Sequence, residues 1–372
     1  MLLPLLLRQR AQKMNINAKI GWFLHTPFPA QEFFDTLPFK NEILDGILGA
    51  DVVGFQTDED RRHFSNTCSD ILCVHHPTHT IREYGDLQVI RDQRLDGFTM
   101  SHDNRPISVQ TFPIGIEPAE FHTRLWKKTV QNSIRSMRDK FRGEKVIVGV
   151  DRLDCIKGLP QKLLAFERFL EKNSSWVGKA TLVQVVVPSR DGLESHKDLK
   201  EMIQLLVGRI NGKYGELSPL PLLTSCTEWI RSSDIPFHQW STNTQLPGTI
   251  SHTPIHFLYK PIPPDELTAL YAASDVCFIA STRDGMNLVC YEYIACHYDK
   301  AVQASTEILP PGSLVLSKFA GAASYLDDGA LIVNPWDQDC CADALARALQ
   351  MDPDEARARM KRLGGQLRRQ TR

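Results

Sequence analysis

Short apolar runs alternate with amphipathic stretches along most of the chain, and this alternation predicts an α/β fold. The apolar runs have the length of buried strands, and the amphipathic stretches show the spacing of helices. Predicted strands cover residues 20–24, 51–56, 107–112, 145–150, 180–188, 255–259, 276–281, 313–316 and 330–333. Predicted helices cover residues 42–50, 58–72, 127–140, 159–171, 196–210, 265–273, 285–296 and 340–350. Repeated strand–helix units form mostly parallel sheets, whose ligands lie beyond the carboxyl ends of the strands.

Two segments interrupt this rhythm. Residues 217–254 are rich in Ser, Thr and Pro and show no clear period, although a structureless loop of that length is uncommon in a compact domain. They are either a surface insertion or translated non-coding sequence. Residues 80–104 form a smaller polar excursion. The predicted domain boundary lies within residues 121–145, so we expect domains of residues 1–130 and 131–372.

The composition of the chain is typical of a globular protein. Hydrophobic residues are 42% and charged residues 23% of the chain, and a net charge of −1 gives no basic field for nucleic acid. The apolar run at residues 2–7 is short and contains Pro4, so we interpret it as part of a helix and not as a signal peptide. No later run is long enough to span a membrane. Nine scattered cysteines without a CxxC pair indicate free thiols, and we expect a cytoplasmic protein.

The segment VDRLDCIKGLP, residues 150–160, places two cations after a predicted strand. A glycine opens the next helix, so Arg152 and Lys157 can project together over the carboxyl edge of the sheet. Arginine offers a planar fork to phosphate oxygens, lysine adds a point charge, and the helix end adds N–H donors. The segment therefore suits a diphosphate. The alternative is a solvated turn in which these cations pair with Asp151 and Asp154.

A second strand-to-helix turn, TRDGMNLVCYE at residues 282–292, carries acidic residues. Asp284 can accept hydrogen bonds from sugar hydroxyls, and Glu292, two helical turns later, can accept them from a ribose diol. The first amides of the helix, from Gly285 to Leu288, are free to donate because no earlier turn of helix pairs with them. Alternatively, Asp284 is only a helix N-cap and Glu292 is a surface residue.

Two further strand ends carry candidate residues. His25 follows the first predicted strand and precedes two prolines, which stiffen the chain and direct the histidine into a cleft if a second domain faces it. The alternative is a hydrogen-bonded histidine in a rigid loop. Arg190, in the segment VPSR, is a candidate for the phosphate of a second substrate.

Together these segments resemble the trehalose-6-phosphate synthase family of retaining glycosyltransferases. The matching stretches appear in family order over most of residues 1–346: IGWFLHTPFP, ADVVGFQT, FPIGIEP, VDRLDCIKGLP, VPSR, GRINGKYGEL, PIHFLY, DELTALYAASDVCFIASTRDGMNLVCYEYIAC, LVLSKFAGAASYL and ALIVNPW. The resemblance implies a GT-B fold with two facing Rossmann-like domains. Residues 1–130 are then a partial, acceptor-side domain, because the family's upstream residues are absent. Residues 131–372 are the nucleotide-sugar-binding domain, with an irregular insertion at about 217–254.

The resemblance also implies a role for each candidate residue. Arg152 and Lys157 match the pair that holds the UDP diphosphate, and Arg190 matches the arginine that binds the phosphate of glucose 6-phosphate. The other donor contacts are Ile262 on the uracil, Asp284 with Gly285, Met286 and Asn287 on the glucose, Leu288 and Val289 on the nucleotide sugar, and Glu292 on the ribose. The catalytic candidates are His25, which matches a cleft histidine near the donor glucose, with Arg152, Lys157 and Asp284.

The implied reaction transfers glucose from UDP-glucose to the anomeric hydroxyl of glucose 6-phosphate with retention, without a covalent enzyme intermediate. Fixed cations stabilise the leaving diphosphate, so neither a metal nor another cofactor is expected. The sequence Asp337-Gln338-Asp339 resembles a metal-binding DxD motif but is predicted to cap the helix at Cys340. A zinc site in CVHHPTH, residues 73–79, is disfavoured because no second Cys/His pair follows at the usual spacing.

Three functions remain open from the sequence. The chain is a glucosyltransferase or part of one, a non-catalytic subunit of a trehalose synthase complex, or a related transferase with another acceptor. The intact donor set favours the first. The absence of the family's glycine-rich donor loop and of its upstream acceptor residues favours the second. The segments VPSR and GRINGKYG argue against the third, because they belong to the family with a phosphorylated acceptor.

Overall fold

The computed structural model describes residues 1–72, 97–103, 105–188, 194–217, 250–298 and 309–370. The strands are β1 Gly21–Phe23, β2 Val52–Phe55, β3 Gly97–His102, β4 Arg105–Thr111, β5 Lys145–Arg152, β6 Ala180–Val187, β7 Glu216–Leu217, β8 Ile250–His252, β9 Ile255–Tyr259, β10 Val276–Ile279, β11 Ser313–Ser317 and β12 Leu331–Val333. The helices are α1 Leu3–Lys13, α2 Gln31–Phe34, α3 Lys40–Leu48, α4 Asp58–Leu72, α5 Pro118–Leu125, α6 Lys128–Lys140, α7 Leu159–Lys172, α8 Glu194–Tyr214, α9 Pro264–Ala273, α10 Leu288–His297, α11 Ala323–Leu326, α12 Gln338–Gln350 and α13 Pro353–Gln370.

The first sheet has the strand order β1-β2-β4-β3 and an aromatic core. Strands β1, β2 and β4 are parallel, whereas β3 runs antiparallel to β4. The ring of Phe28 stacks on Phe34 with centroids 5.1 Å apart and meets Phe55 and Phe64 edge-on. The predicted polar excursion at residues 80–104 is therefore wrong for residues 97–102. These residues form a strand because β4 supplies its hydrogen-bond partners, which the local pattern does not reveal.

The second sheet has six parallel strands in the order β12-β11-β10-β5-β6-β9. Alternate residues of each strand enter two different cores. Val146 and Val148 contribute to the core formed with α5, α6, α9, α10 and α13, whereas Ile147 contributes to the core formed with α7, α8 and α12. Burial on both faces explains why these strands are nearly continuous apolar runs in the sequence.

The order of the second sheet reverses at β5. Strands β6 and β9 lie on one side of it, and β10, β11 and β12 lie on the other. At such a reversal the crossover connections leave in opposite directions, and a crevice opens beyond the carboxyl ends of the two central strands. The segments that follow β5 and β10, which are the strongest candidates in the sequence, therefore meet at this crevice.

Several predicted boundaries shift in the structure. The helix predicted from residue 285 begins at Leu288, because Asn287 caps it. Helix α13 was not predicted, and its residues Met360 and Leu363 are buried in the core beside α10. The N-terminal run forms a helix as predicted, and Arg8 on that helix pairs with Asp51 at 2.6 Å.

The segment predicted to be irregular, residues 217–254, is described only at its two ends. Strands β7 and β8 pair antiparallel, with Glu216 opposite His252, and residues 218–249 lie outside the described residues. Strand β9 confirms the strand predicted for residues 255–259. The boundary predicted within residues 121–145 stays a prediction, although α5 and α6 pack on the core of the second sheet. No helix in the described part of the chain is both long and apolar enough to cross a membrane.

Candidate active site

The loop after β5 carries both predicted cations to the carboxyl edge of the sheet. Arg152 is the last residue of the strand and is exposed. The carboxylate of Asp154 accepts a hydrogen bond from the Ile156 amide at 3.2 Å, which turns the chain into a short 3₁₀ helix ending at Lys157. In the described part of the chain, the guanidinium of Arg152 has no hydrogen-bonded or ionic partner, so it is available to a ligand.

Gly158 brings this loop against the end of β10. Its φ of +64° lies in the left-handed region, and a Cβ at this position would overlap the carbonyl oxygen of Ala280. Only glycine combines that backbone conformation with so close an approach. The amide of Thr282 also donates to the carbonyl oxygen of Ile156 at 2.8 Å. The two candidate loops are therefore joined by backbone contacts.

Lys157 and Asp284 form an ion pair across the crevice. The lysine Nζ lies 2.6 Å from Oδ2 of the carboxylate, and the two side chains are 13% and 9% exposed. The same oxygen accepts hydrogen bonds from Ser281 Oγ at 3.3 Å and from Asn287 Nδ2 at 3.2 Å. Oδ1 has no partner within the described residues, so it is the oxygen that remains for a sugar hydroxyl.

The solvated-turn interpretation of the first loop is wrong. Asp151 is fully buried and pairs at 2.6 Å with Lys162, which is also fully buried. Asp154 is used in the turn, and Lys157 pairs with Asp284. The cations therefore do not neutralise the two acids of their own loop.

The turn between Asp284 and helix α10 presents unpaired amides. The side chain of Asn287 is the N-cap, since its Oδ1 accepts from the Cys290 amide at 3.1 Å. The alternative in which Asp284 is only the N-cap is therefore wrong. Within the described residues, the amides of Gly285, Met286, Asn287, Leu288 and Val289 have no acceptor. Such a run of donors at a helix N-terminus suits an anionic or hydroxyl-bearing ligand.

The first sheet contributes His25 to the same crevice. A Cβ at Gly285 would overlap the carbonyl oxygen of His25, so the two segments are in backbone contact. The exposed imidazole packs edge-on against Phe23, with ring centroids 4.8 Å apart. A second contact joins the two halves, because the hydroxyl of Tyr325 donates to the carbonyl oxygen of Gln56 at 3.0 Å. The structure thus brings the backbone of His25 next to the Asp284 turn, whereas the predicted role of its imidazole in a cleft near the donor glucose stays a prediction.

Glu292 lies on helix α10 and is half-buried, so the interpretation as a simple surface residue is wrong. Its Oε2 accepts a hydrogen bond from the Tyr271 hydroxyl at 2.8 Å. Burial raises the pKa of this carboxyl above its usual value, while the Tyr271 hydroxyl and the charge of Arg124 act in the opposite direction. Its other oxygen, Oε1, has no partner within the described residues, so it can accept a further hydrogen bond.

The apolar candidates lie on the same side of the sheet. Met286 is buried, and Ile262, Leu288 and Val289 are partly buried against the core that contains α9 and α10. Ile262, Leu288 and Val289 therefore each leave part of the side chain exposed. The predicted contact between Ile262 and a uracil ring stays a prediction.

The sequence did not predict the buried residues that support Asp284 through hydrogen bonds. Ser281 donates to Asp284, and Ser317 donates to the carbonyl oxygen of Ser281 at 2.6 Å. Both serines are fully buried at strand ends. A small hydroxyl residue that ends an apolar run is the signal that could have identified them, since buried hydroxyls require partners.

Two predicted features lie elsewhere. Arg190 and the segment at residues 73–79 are outside the described residues. Asp337 caps helix α12 as predicted, because its carboxylate accepts from the Cys340 amide at 2.9 Å. Asp339 pairs with Arg168 and Lys172. The two carboxylates of the DxD-like segment are therefore used in helix capping and in ion pairs.

The chain is similar to known proteins over most of its length. It matches glycosyltransferase family 20 over residues 1–227 and 243–372. It is 42% identical over 363 residues to an alpha,alpha-trehalose-phosphate synthase (UDP-forming) of Candida albicans, covering 98% of this chain and 63% of that protein. It is also 42% identical over 355 residues to the 56 kDa subunit of the Saccharomyces cerevisiae enzyme of that name, covering 95% of this chain and 59% of that protein.

A solved structure gives the same result. The alpha,alpha-trehalose-phosphate synthase (UDP-forming) from Burkholderia xenovorans, in complex with glucose-6-phosphate, matches with a TM-score of 0.74 at 31% identity, over 98% of this chain and 67% of that one. The predicted α/β fold of GT-B type is therefore confirmed. The chain spans less than two thirds of the length of the two curated relatives. The chain belongs to glycosyltransferase family 20.

Proposed function

We propose that the chain transfers glucose from UDP-glucose to glucose 6-phosphate with retention, giving trehalose 6-phosphate and UDP. One observation carries this proposal. Three features converge at the carboxyl edge of one parallel sheet: an exposed arginine, a lysine–aspartate pair and a run of amides that have no acceptor within the described residues. The names of the similar proteins support the same activity.

The diphosphate of the donor is the natural ligand for Arg152 and Lys157. As the bond to glucose breaks, negative charge develops on the leaving diphosphate, and cations fixed by the protein stabilise that charge without reorganising. The unpaired amides from Gly285 onward add further donors. In this role the two side chains do the work that a divalent cation does in other transferases.

The sugar and nucleoside are assigned to the acidic residues. Asp284 accepts hydrogen bonds from the glucose hydroxyls through Oδ1, and His25 approaches the same sugar from the first sheet. Glu292 accepts from the ribose diol, and Ile262 packs on the uracil. Burial of the Asp284 pair strengthens these contacts, because electrostatic interactions are stronger away from water.

The acceptor is assigned through its phosphate. We expect Arg190 to bind the phosphate of glucose 6-phosphate and to present the anomeric hydroxyl to the donor face from which UDP leaves. The acceptor oxygen bonds to C1 of the glucose on that face while the C1–O bond to UDP breaks, so no covalent enzyme intermediate forms. An oxygen of the departing diphosphate takes the acceptor proton. The proton transfer and the formation of the new glycosidic bond thus occur on the same face of the glucose, the one from which UDP leaves, which gives retention.

A second function, as a subunit of a trehalose synthase complex, is favoured by the name of the Saccharomyces cerevisiae relative, a 56 kDa subunit. The two functions are compatible, because a subunit of such a complex can itself carry the transferase site. A cytoplasmic location fits the cysteines, all of which are free thiols in the described part of the chain.

The test is calorimetric binding of UDP-glucose, followed by UDP release with and without glucose 6-phosphate. We compare the parent chain with Arg152→Ala/Lys157→Ala and with Arg168→Ala/Lys172→Ala, which removes the same charge from the exposed face of α7. The proposal expects binding and acceptor-dependent UDP release by the parent and the control, and loss of both in the first variant. Absence of UDP-glucose binding by the parent would reject the transferase function for this chain.

A further inference from the structure

Tyr271 is a fully buried tyrosine whose only hydroxyl contact in the described structure is with a donor-site residue. It lies on helix α9, and its hydroxyl donates to Oε2 of Glu292 at 2.8 Å. Its backbone is held by helix α10 as well, because Nε2 of His297 donates to the Tyr271 carbonyl oxygen at 2.9 Å. Two side chains of α10 therefore fix one residue of α9.

The direction of this hydrogen bond is defined. Burial and the neighbouring charge of Glu292 raise the pKa of the Tyr271 phenol well above its usual value, so the phenol keeps its proton and donates. A hydrogen bond to the charged form of a carboxyl group favours that form. The hydroxyl therefore helps to keep Glu292 an acceptor, against the burial that favours the neutral acid.

The contact also selects which oxygen of Glu292 serves the ligand. Oε2 is occupied by Tyr271, whereas Oε1 has no partner in the described part of the chain. Without the phenol, the carboxylate would be free to rotate about its last side-chain bond, because that torsion is broad. A rotating carboxylate meets a pair of hydroxyls less often in the correct geometry, which weakens binding.

We propose that Tyr271 is a positioning residue for Glu292, fixing its carboxylate so that Oε1 receives the ribose hydroxyls of the nucleotide sugar. This inference rests on the proposed function, in which Glu292 binds the ribose. The competing interpretation is that the contact only meets the hydrogen-bonding requirement of a buried hydroxyl and has no effect on ligand binding.

The experiment compares Tyr271→Phe with Tyr293→Phe in the full chain. Tyr293 is also fully buried, and its ring packs edge-on to Tyr271 at 6.5 Å, but its hydroxyl contacts the backbone at Ser274 and Ser313. Each protein is titrated by calorimetry with UDP-glucose and with an analogue whose ribose lacks the 2′ and 3′ hydroxyls. The proposal expects Tyr271→Phe to weaken UDP-glucose binding about fivefold, the size of one hydrogen bond, and to leave the analogue unaffected.

A second comparison, made in a variant of Glu292, separates an effect of Tyr271 on ligand binding from an effect on folding stability. In Glu292→Ala, which leaves Tyr271 no hydrogen-bonding side chain to position, adding Tyr271→Phe is expected to cause no further loss of UDP-glucose affinity. Tyr293→Phe is expected to lower the thermal midpoint while preserving the ratio of the two affinities. Equal loss for UDP-glucose and the analogue, or an unchanged affinity for both, would overturn the inference while the proposed function stands. A parent chain that fails to bind UDP-glucose would overturn both.

Discussion

The ammonium nitrogen of Lys157 lies 2.6 Å from Oδ2 of Asp284, and this contact joins the loops that follow the two central strands of the second sheet. Each residue supplies the opposite charge that the other needs at this largely buried position. When a diphosphate binds, the lysine can share its donors with the phosphate oxygens without leaving the carboxylate, because an ammonium group has three of them. In the proposed function, the pair therefore fixes the position of the residue assigned to the diphosphate relative to the residue assigned to the sugar.

Removing Lys157 should affect stability as well as binding. In Lys157→Ala the buried carboxylate of Asp284 loses its cation, and breaking a buried pair in this way typically costs about 3 kcal/mol of unfolding free energy. In Lys157→Ala/Asp284→Asn the unpaired charge is gone, so we expect most of that stability to return. UDP-glucose binding should stay weak in both variants, since the diphosphate contact is missing in both.

Urea denaturation and calorimetry measure the two effects separately. If the double variant were as unstable as the sum of its single changes, the two residues would not be energetically coupled, and the role given to the pair would be wrong.

Two glycines should tolerate no side chain. In Gly158→Ala the new methyl group meets the Ala280 carbonyl at a φ of +64°, and in Gly285→Ala it meets the His25 carbonyl. We expect the first change to displace Lys157 and the second to displace His25 from the Asp284 turn. Both should weaken UDP-glucose binding tenfold or more. A tenfold loss corresponds to about 1.4 kcal/mol, and we expect the displacement of either residue to cost at least that much.

The matched control is Gly208→Ala, on the exposed face of helix α8, where a Cβ meets nothing within 4 Å. Alanine is a better helix former than glycine, so this variant should be more stable by about 0.5–1 kcal/mol and should bind UDP-glucose like the parent. A Gly285→Ala variant with parental affinity would show that the contact with His25 is not needed at the site.

The sequence predicts the site where its chemistry follows from strand ends. Arg152, Lys157 and Asp284 each follow a recognisable apolar strand, and parallel strands bring their carboxyl ends to one edge. Placing these residues together therefore requires only the order of elements. The cap of helix α10 could not be assigned in the same way, because Asp284 and Asn287 are both good capping residues. The structure distinguishes them, since Asn287 accepts from the Cys290 amide whereas Asp284 pairs with Lys157 from a distant segment.

Contacts between segments that are distant in the sequence could not be predicted from it. Tyr271 lies in an apolar helix and would be read as a core residue, although its hydroxyl reaches Glu292. Strand β3 has a mixed pattern and becomes a strand because β4 pairs with it. In both cases the deciding interaction joins elements whose proximity is set by the tertiary fold.

The buried pair of Lys162 and Asp151 offers a further test of the support beneath the site. Both side chains are completely inaccessible, their charged atoms lie 2.6 Å apart, and Gln184 donates to the same carboxylate oxygen at 3.0 Å. We expect Lys162→Met to lower the unfolding free energy by about 3–5 kcal/mol, because it leaves a buried carboxylate without a cation.

The control for that change is Lys172→Met, on the same helix, where the lysine is partly exposed and paired with Asp339 and Asp343. Exposed pairs of this kind contribute less than about 1 kcal/mol. Urea denaturation at one pH compares the two variants, and similar losses in both would show that the buried pair has no special role.

The stability of the protein should decrease in mild acid because of His256. Burial, with a contribution from the charge of Lys140, lowers the pKa of this imidazole to about 4, while Glu144 and His252 are the other titratable groups that face it. An unfolded histidine has a pKa of about 6.5, so the unfolded chain binds the proton first as the pH falls. The stabilisation is therefore complete above about pH 6.5 and declines as the pH falls toward 4.

His256→Gln cannot bind that proton, so its unfolding midpoint in urea should fall less than that of the parent between pH 7.5 and pH 5. The difference at pH 7.5 measures the packing lost against Phe141, whose ring lies 5.2 Å from the imidazole. Parallel curves for the two proteins across this range would show that His256 does not control the acid sensitivity.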